Sequence, residues 1–391
     1  MRFVEGEMKI HNAGVTGPLP SISNEGAGKA AQSSSTQPQS QPESHGPTPE
    51  SSEAHPARVR TNYPYSSVKT RLPPVASAGK ALPEALSSLP GYLLLRRLDH
   101  RPVDQEGINS LIPADKAVTE ARHALPFGRG NIDVDAQLTN QESRARTVAA
   151  RRLRKDAEAA GHEPMPANAP MNWHVLVAMS GQVFGAGNCG EHAHIASFAY
   201  GALAQENGRP EDENIHLAAS TEEDHVWAET DESRSGTSTI VMDPWSNGPA
   251  IFAEDSRFAK NRNAVERTDT FKLSTAAEAG NITREIAEKA LTQATPRLQQ
   301  RLADQQAQVL PIRSGRYRQE QSVLDDAFVR RVSGKLTTPN PQHALQVEME
   351  AVGVAMSLGA KDVKEVTRKA RPLVELAEKV ASPQGLSRRD V

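Results

Sequence analysis

The spacing of apolar and polar positions divides the chain into four stretches. In residues 31–56, AQSSSTQPQSQPESHGPTPESSEAHP, Val, Ile, Leu, Met and aromatic residues are absent, and Ser, Pro and Gln fill 16 of the 26 positions. Such a composition buries too little apolar area to offset its chain entropy, so residues 1–60 are expected to be disordered. Residues 61–165 mix loops and helices. The cluster Tyr92–Leu95 in SSLPGYLLLRRLDHRPV fits a strand or a buried helix. PADKAVTEARHAL reads as a helix with Pro113 near its start and Pro126 beyond its end. FGRGNIDVDAQ reads as a loop. Leu138 to Ala160, rich in Ala, Arg and Glu, reads as a helix stopped by Gly161, its basic run ARRLRK forming a solvated face.

Residues 166–262 change character. All three tryptophans (Trp173, Trp227, Trp245) and the single cysteine, Cys189, fall here, which marks the expected dense core. After Cys189, residues Ile195, Phe198, Ala199, Ala202 and Leu203 recur at helical spacing, with Gly208 and Pro210 closing the helix. DHVWAET and STIVMDPW alternate as strands around the polar DESRSGT, a predicted hairpin. Residues 263–391 return to helical periodicity. Leu345, Met349, Val352 and Met356 share one helix face, expected to pack on the core or on another helix.

Composition narrows the function classes. A length of 391 residues suggests about two to three domains. A net charge of −3 leaves no footprint for nucleic acid or anionic membrane. No apolar run approaches the roughly 18 residues of a membrane span, and MRFVEGEMKIH lacks the core of a cleavable secretory signal. One cysteine allows neither an internal disulfide nor a Cys-based zinc knuckle. Arg2 breaks the myristoylation pattern, and a start at Met8 would put Lys next.

The candidate chemistry centres on GQVFGAGNCGEHA. A helix beginning at Asn188 to Gly190 would aim unpaired N–H groups and its positive dipole end at Cys189, which favours a thiolate there. Gly181, Gly185, Gly187 and Gly190 suit a tight approach loop. A lone cysteine is most often a small buried hydrophobe; what argues for catalysis is a base and an orienting group further on. His225, Trp227 and Glu229 share one strand face, and Thr239, Val241 and Asp243 share another. One register sets His225 opposite Asp243 and Trp227 opposite Val241, with the second strand ending before Pro244. An Asp beside a His fixes its tautomer and stabilises the imidazolium. His192 and His194 compete for the role of base, but His225 has the neighbouring Asp. Gln182 and Asn188 are the oxyanion-hole candidates. Trp227, Trp245 and Gly187 are cleft candidates, both tryptophans fitting the core equally. CGEH lacks a second Cys and the spacing of a helical ligand pair, so neither metal nor cofactor is expected. The expected fold is α+β, a Cys-bearing helix packed on an antiparallel sheet bearing His and Asp, as in transglutaminase-like and papain-like thiol enzymes.

Several segments closely resemble the AvrPphE/HopX/XopE family of type III secreted effectors from plant-pathogenic bacteria: NYPYSSVKTRLPPV, LPGYLLLRRLDHRPVD, ALPFGRGNIDVDAQ, MNWHVLVAMSGQVFGAGNCGEHA, DHVWAET and VMDPWSNGPAIFAEDSRFAK. The resemblance runs from about Arg60 into the C-terminal helices. It implies a cysteine-dependent enzyme with its triad at Cys189, His225 and Asp243. It also implies that YPYSSVKTRLPPV through GRGNIDVDAQ contacts host targets, and that the Ser-rich start is an export segment with a type III chaperone as partner. Delivery would be to the host cytoplasm and nucleus, with host plant proteins as substrates, jasmonate-pathway repressors among them. Gly190 stands where many transglutaminases carry Trp, which argues against cross-linking. The expected activity is proteolysis; transglutamination or glutamine deamidation, and non-enzymatic binding of host proteins, are the alternatives.

Overall fold

The computed structural model describes residues 88–159, 172–211, 213–231, 238–292, 317–337 and 341–381, with single positions at 296, 300 and 304. The segment expected to be disordered, and NYPYSSVKTRLPPV with it, lie outside the described residues. Five antiparallel strands form one sheet: β1 (Asn214–Ser220), β2 (Val226–Thr230), β3 (Ile240–Met242), β4 (Ile251–Phe252) and β5 (Val265–Lys272), in the order β4-β3-β2-β1-β5. The helices are α1 (Leu89–Leu98), α2 (Gln105–Ala124), α3 (Asp133–Leu138), α4 (Glu142–Ala159), α5 (Asn172–Phe184), α6 (Cys189–Glu206), α7 (Leu273–Thr292), α8 (Asp326–Thr337), α9 (Pro341–Ser357) and α10 (Val363–Ala381). The architecture is therefore α+β.

Helix α6 is the centre of the described fold. It packs on β1, β2 and β3, with α2, α5 and α7 against its other sides. Its sequence explains this position: small residues and Ile195, Phe198, Tyr200 and Leu203 leave little polar surface, and most of the helix is buried. A helix apolar on several faces belongs inside a protein. The predicted stripe is thus too narrow, and its Ala199 and Ala202 are among the less buried positions. Gly201 lets α7 approach closely, since a Cβ there would lie 2.7 Å from the Ala277 amide nitrogen. The helix ends as expected, with Asn207 as C-cap and Gly208 in the left-handed region at φ 72°.

The Tyr92–Leu95 cluster takes the second of its two expected forms, a helix buried on nearly every side in α1. Several other elements differ from the sequence expectation. Helix α2 begins at Gln105 because Asp104 caps it, accepting from Gly107 N at 2.8 Å, so Pro113 lies inside the helix. FGRGNIDVDAQ is not all loop: its second half forms α3, and α4 starts only at Glu142. β1 and β5 were not expected; β5 lies at the start of the stretch expected to turn helical. Strand β5 carries charged residues because it is an edge strand, paired among the described residues only with β1 and largely exposed. Trp173 is exposed rather than in the core, and Leu345, Met349, Val352 and Met356 are exposed as well, α9 packing inward through Val347, Ala351, Val354 and Ala355.

The hairpin forms with a different register. Ala228 pairs with Met242 and Glu229 with Val241, two residues away from the expected alignment. A one-residue slip would turn every side chain to the opposite face, whereas a two-residue slip keeps each on its own face. The Thr230 hydroxyl accepts from Ile240 N at 3.1 Å, so the ladder begins only beyond that point.

Candidate active site

Cys189 is the first residue of α6, and Asn188 is its N-cap. Asn188 and Glu191 have the spacing of a capping box. Only the Glu191 half closes in hydrogen-bond geometry: its Oε2 accepts from Asn188 N at 2.7 Å, while the buried Asn188 Oδ1 has no partner. The other Glu191 oxygen, Oε1, takes Arg154 of α4 at 2.7 Å. Burial would raise the Glu191 carboxyl, but Arg154 and the Asn188 amide hold it below the usual range. The basic run is thus divided: Arg151, Arg152 and Lys155 face solvent, while Arg154 is turned inward. Gly187 permits this cap, since a Cβ there would meet Glu191 Cβ at 2.4 Å.

His225 directly precedes β2, and Asp243 directly follows β3. Both are almost wholly buried, and His225 Nε2 lies 2.7 Å from Asp243 Oδ2. Asp243 Oδ1 accepts from Ser246 N at 3.2 Å. Burial would raise the Asp243 carboxyl, but the His225 charge, their hydrogen bond and the Ser246 amide hold it low. An ionised carboxylate can only accept, so Nε2 donates to it and Nδ1 is the nitrogen left to face the thiol. Burial opposes a charge on His225, yet Asp243, followed by Cys189, raises its pKa to about 10. Among the described residues, Nδ1 is buried with no partner within hydrogen-bond limits, although the Cys189 thiol is near enough to contribute to that rise.

Aromatic rings fix the imidazole plane. Phe258, Trp245 and Trp227 lie with centroids 4.3, 4.8 and 5.8 Å from the His225 ring. Both tryptophans are buried, so they form the bed under His225 rather than an open cleft wall. Gly187 is in the loop entering α6, where it pairs with Arg129 in a parallel bridge. Gln182 is half-buried on α5, and among the described residues its side chain makes no hydrogen bond. His192 and His194 are tied to their own helix: His192 Nδ1 donates to Asn188 O at 2.9 Å and His194 Nδ1 to Gly190 O at 2.7 Å. Burial pushes both down to about 4, so each is neutral at pH 7.

Two arginines that sequence reasoning missed organise the surrounding loops. Arg129 is buried and binds Asp135 through Nε and Nη2, Trp245 O through Nη1 at 2.8 Å, and Glu320 at 2.6 Å. Burial opposes its charge, but Asp135 and Glu320 secure it. It therefore links the loop beside Gly187, the turn after Asp243 and the segment 317–324. Arg122 of α2 donates to the carbonyls of Pro244, Ser246 and Gly248, which fixes the same turn from the other side. The GRG motif around Arg129 and the Asn188/Glu191 capping-box spacing were the available signals. Nothing in the sequence marked Arg122 or Arg154 as different from surface arginines.

Comparisons with known proteins give no match to a family model, to a curated protein or to a solved structure. Among the described residues, no group of three or more His, Cys, Asp and Glu could hold a metal ion, and no helix is long and apolar enough to cross a membrane.

Proposed function

We propose that the chain is a thiol hydrolase whose triad is Cys189, His225 and Asp243, on a core of the transglutaminase-like or papain-like kind. The observation that supports this reading is a buried His225–Asp243 pair whose remaining nitrogen, Nδ1, has no partner and neighbours the half-exposed Cys189. Buried polar groups are normally satisfied, and an open one beside a nucleophile at a helix N-terminus is what acyl transfer requires. With His225 charged, the thiol proton is already held on Nδ1, and the sulfur paired with the imidazolium attacks a peptide or amide carbonyl. The tetrahedral oxyanion meets the N–H groups of the first turn of α6. Nδ1–H then protonates the leaving amine as the C–N bond breaks. Water, deprotonated at Nδ1, cleaves the thioester and restores the thiol. Asp243 holds Nε2–H throughout and balances the imidazolium.

With the resemblance to AvrPphE/HopX/XopE effectors, the setting is delivery by a type III system into plant cells, and the substrates are host defence or hormone-signalling proteins. Proteolysis is favoured over deamidation or transfer. The test is to incubate the full chain and its Cys189→Ala variant with host-plant protein extract and follow intact masses. A target split only by the wild type supports proteolysis. Deamidation would leave the target chain uncut and convert an amide to an acid. Equal effects of both proteins in plant tissue would favour the binder reading instead.

A further inference from the structure

A second histidine system reaches the same helix turn. His194 Nδ1 lies 2.7 Å from the carbonyl oxygen of Gly190, the residue after Cys189. Its Nε2 lies 2.9 Å from His174 Nδ1 on α5, and His174 Nε2 lies 3.4 Å from Asp269 Oδ1 on β5. The rings are stacked at 5.1 Å, with Phe271 edge-on to His174 and Phe198 edge-on to His194. A chain of side chains thus runs from the first turn of α6 to the half-exposed carboxylate of an edge strand.

Hydrogen-bond chemistry fixes the protons in order. A carbonyl only accepts, so His194 Nδ1 carries a hydrogen and, when His194 is neutral, its Nε2 carries a lone pair. His174 Nδ1 must then donate to it. In neutral His174 that leaves Nε2 as a lone pair facing the Asp269 carboxylate, two acceptors opposed. The long 3.4 Å separation there, against 2.9 Å at the inner link, fits that state. The other neutral tautomer of His174 would satisfy Asp269 but set two lone pairs against each other at the inner link. One added proton completes every link; it belongs on His174, beside Asp269, because burial keeps the inner His194 neutral. The charged and titratable groups acting on the pair are Asp269 from β5 and Glu191 on α6.

We propose that Asp269, His174 and His194 form a proton-operated strut that positions the Gly190 carbonyl, and with it the turn holding Cys189. Protonation of His174 closes its outer link to Asp269, and loss of that proton opens it. His174 and His194 are positioning residues in this role. Its catalytic meaning rests on the reading of Cys189 as nucleophile, but the strut itself does not. Burial lowers the His174 pKa while Asp269 raises it, so the link closes on the acid side of the ordinary histidine range.

The test uses the full chain with ¹⁵N-labelled histidine. His194 is expected in the Nδ1–H tautomer across the titration, and His174 is expected to titrate. Asp269→Asn, a change at a half-exposed position, should move the His174 titration to lower pH. The rate of Cys189 alkylation by iodoacetamide should show an inflection at the His174 titration, shifted by Asp269→Asn and lost in His174→Gln. A His194 carrying its proton on Nε2, or a His174 titration unmoved by Asp269→Asn, would overturn the strut. An alkylation rate with no inflection at the His174 titration would overturn its positioning role. If Cys189 instead reacts no faster than a free thiol while the histidines titrate as stated, the strut stands and the nucleophile reading falls.

Discussion

Asp243 and Asp255 are both 1% exposed and both hold positive partners, yet their surroundings differ in one respect. Asp255 accepts from the Tyr92 hydroxyl at 2.8 Å, Arg96 at 2.7 Å and Arg101 at 2.6 Å. Arg96 and Arg101 also reach Glu254, and Arg101 and Arg331 bind Asp99. Burial would raise Asp99, but those arginines and Lys335 hold it well below the usual carboxylate range. No side chain in that knot appears among the buried polar atoms without a partner in the described residues. Around Asp243 the account does not close: His225 Nδ1 and Asn188 Oδ1 are buried and unpaired, both beside Cys189 in space or in sequence. A fully satisfied network holds elements together; an open one leaves a place for a reacting group. The knot joins α1 to the turn after β4, and the open pair lies beside the thiol.

The comparison can be broken in four ways, of decreasing size. Cys189→Ala should lower activity by about 10⁴-fold or more while leaving the urea midpoint nearly unchanged, because the thiol is half-exposed and satisfies nothing. Asp255→Ala should do the reverse: it strands two arginines and should cost about 3–5 kcal/mol of unfolding free energy, with turnover per folded molecule preserved. Equal effects of these two variants on stability would erase the distinction. Asp243→Asn should keep the fold and slow turnover by about 10²-fold, since the amide can offer N–H where the carboxylate accepted it.

The smallest effect is on pH dependence. His225 is raised, to about 10, so its contribution to stability is fully present below about 6.5 and is lost as pH rises through 10. Asp243 is depressed, so its contribution is present above its unfolded value and is lost as pH falls through its folded one. These are two views of one interaction. Urea denaturation should find the advantage of wild type over Asp243→Asn largest between these limits and reduced above about pH 10.

Much of this was legible in the sequence, for local reasons. The start of α6 at Cys189 follows from a glycine-rich loop, an N-capping Asn and an apolar run. The hairpin follows from alternation around a polar loop, and period-two parity kept His225 and Asp243 on a common face even though the register slid by two residues. What alternation does not contain is the offset between strands, which Thr230 and the turn after Asp243 set through tertiary contacts. β5 was hidden because an exposed edge strand with Glu266, Arg267, Asp269 and Lys272 reads as polar loop or helix surface. The α9 face was misjudged because helical spacing identifies a stripe but not which of two stripes turns inward. Glu320 and Glu191, the distant partners of Arg129 and Arg154, lie in other elements, beyond the reach of any local pattern.

The central claim is that His225 activates Cys189, and the most direct measurement needs no substrate. The rate of Cys189 alkylation by iodoacetamide at pH 6 is compared in wild type and His225→Gln, with circular dichroism to show that both are folded. Gln can still donate to Asp243 but cannot take a proton. The account predicts that wild type reacts about 10- to 100-fold faster. Equal rates in two folded proteins would contradict it and leave His225–Asp243 as a buried pair with no part in the chemistry of the thiol.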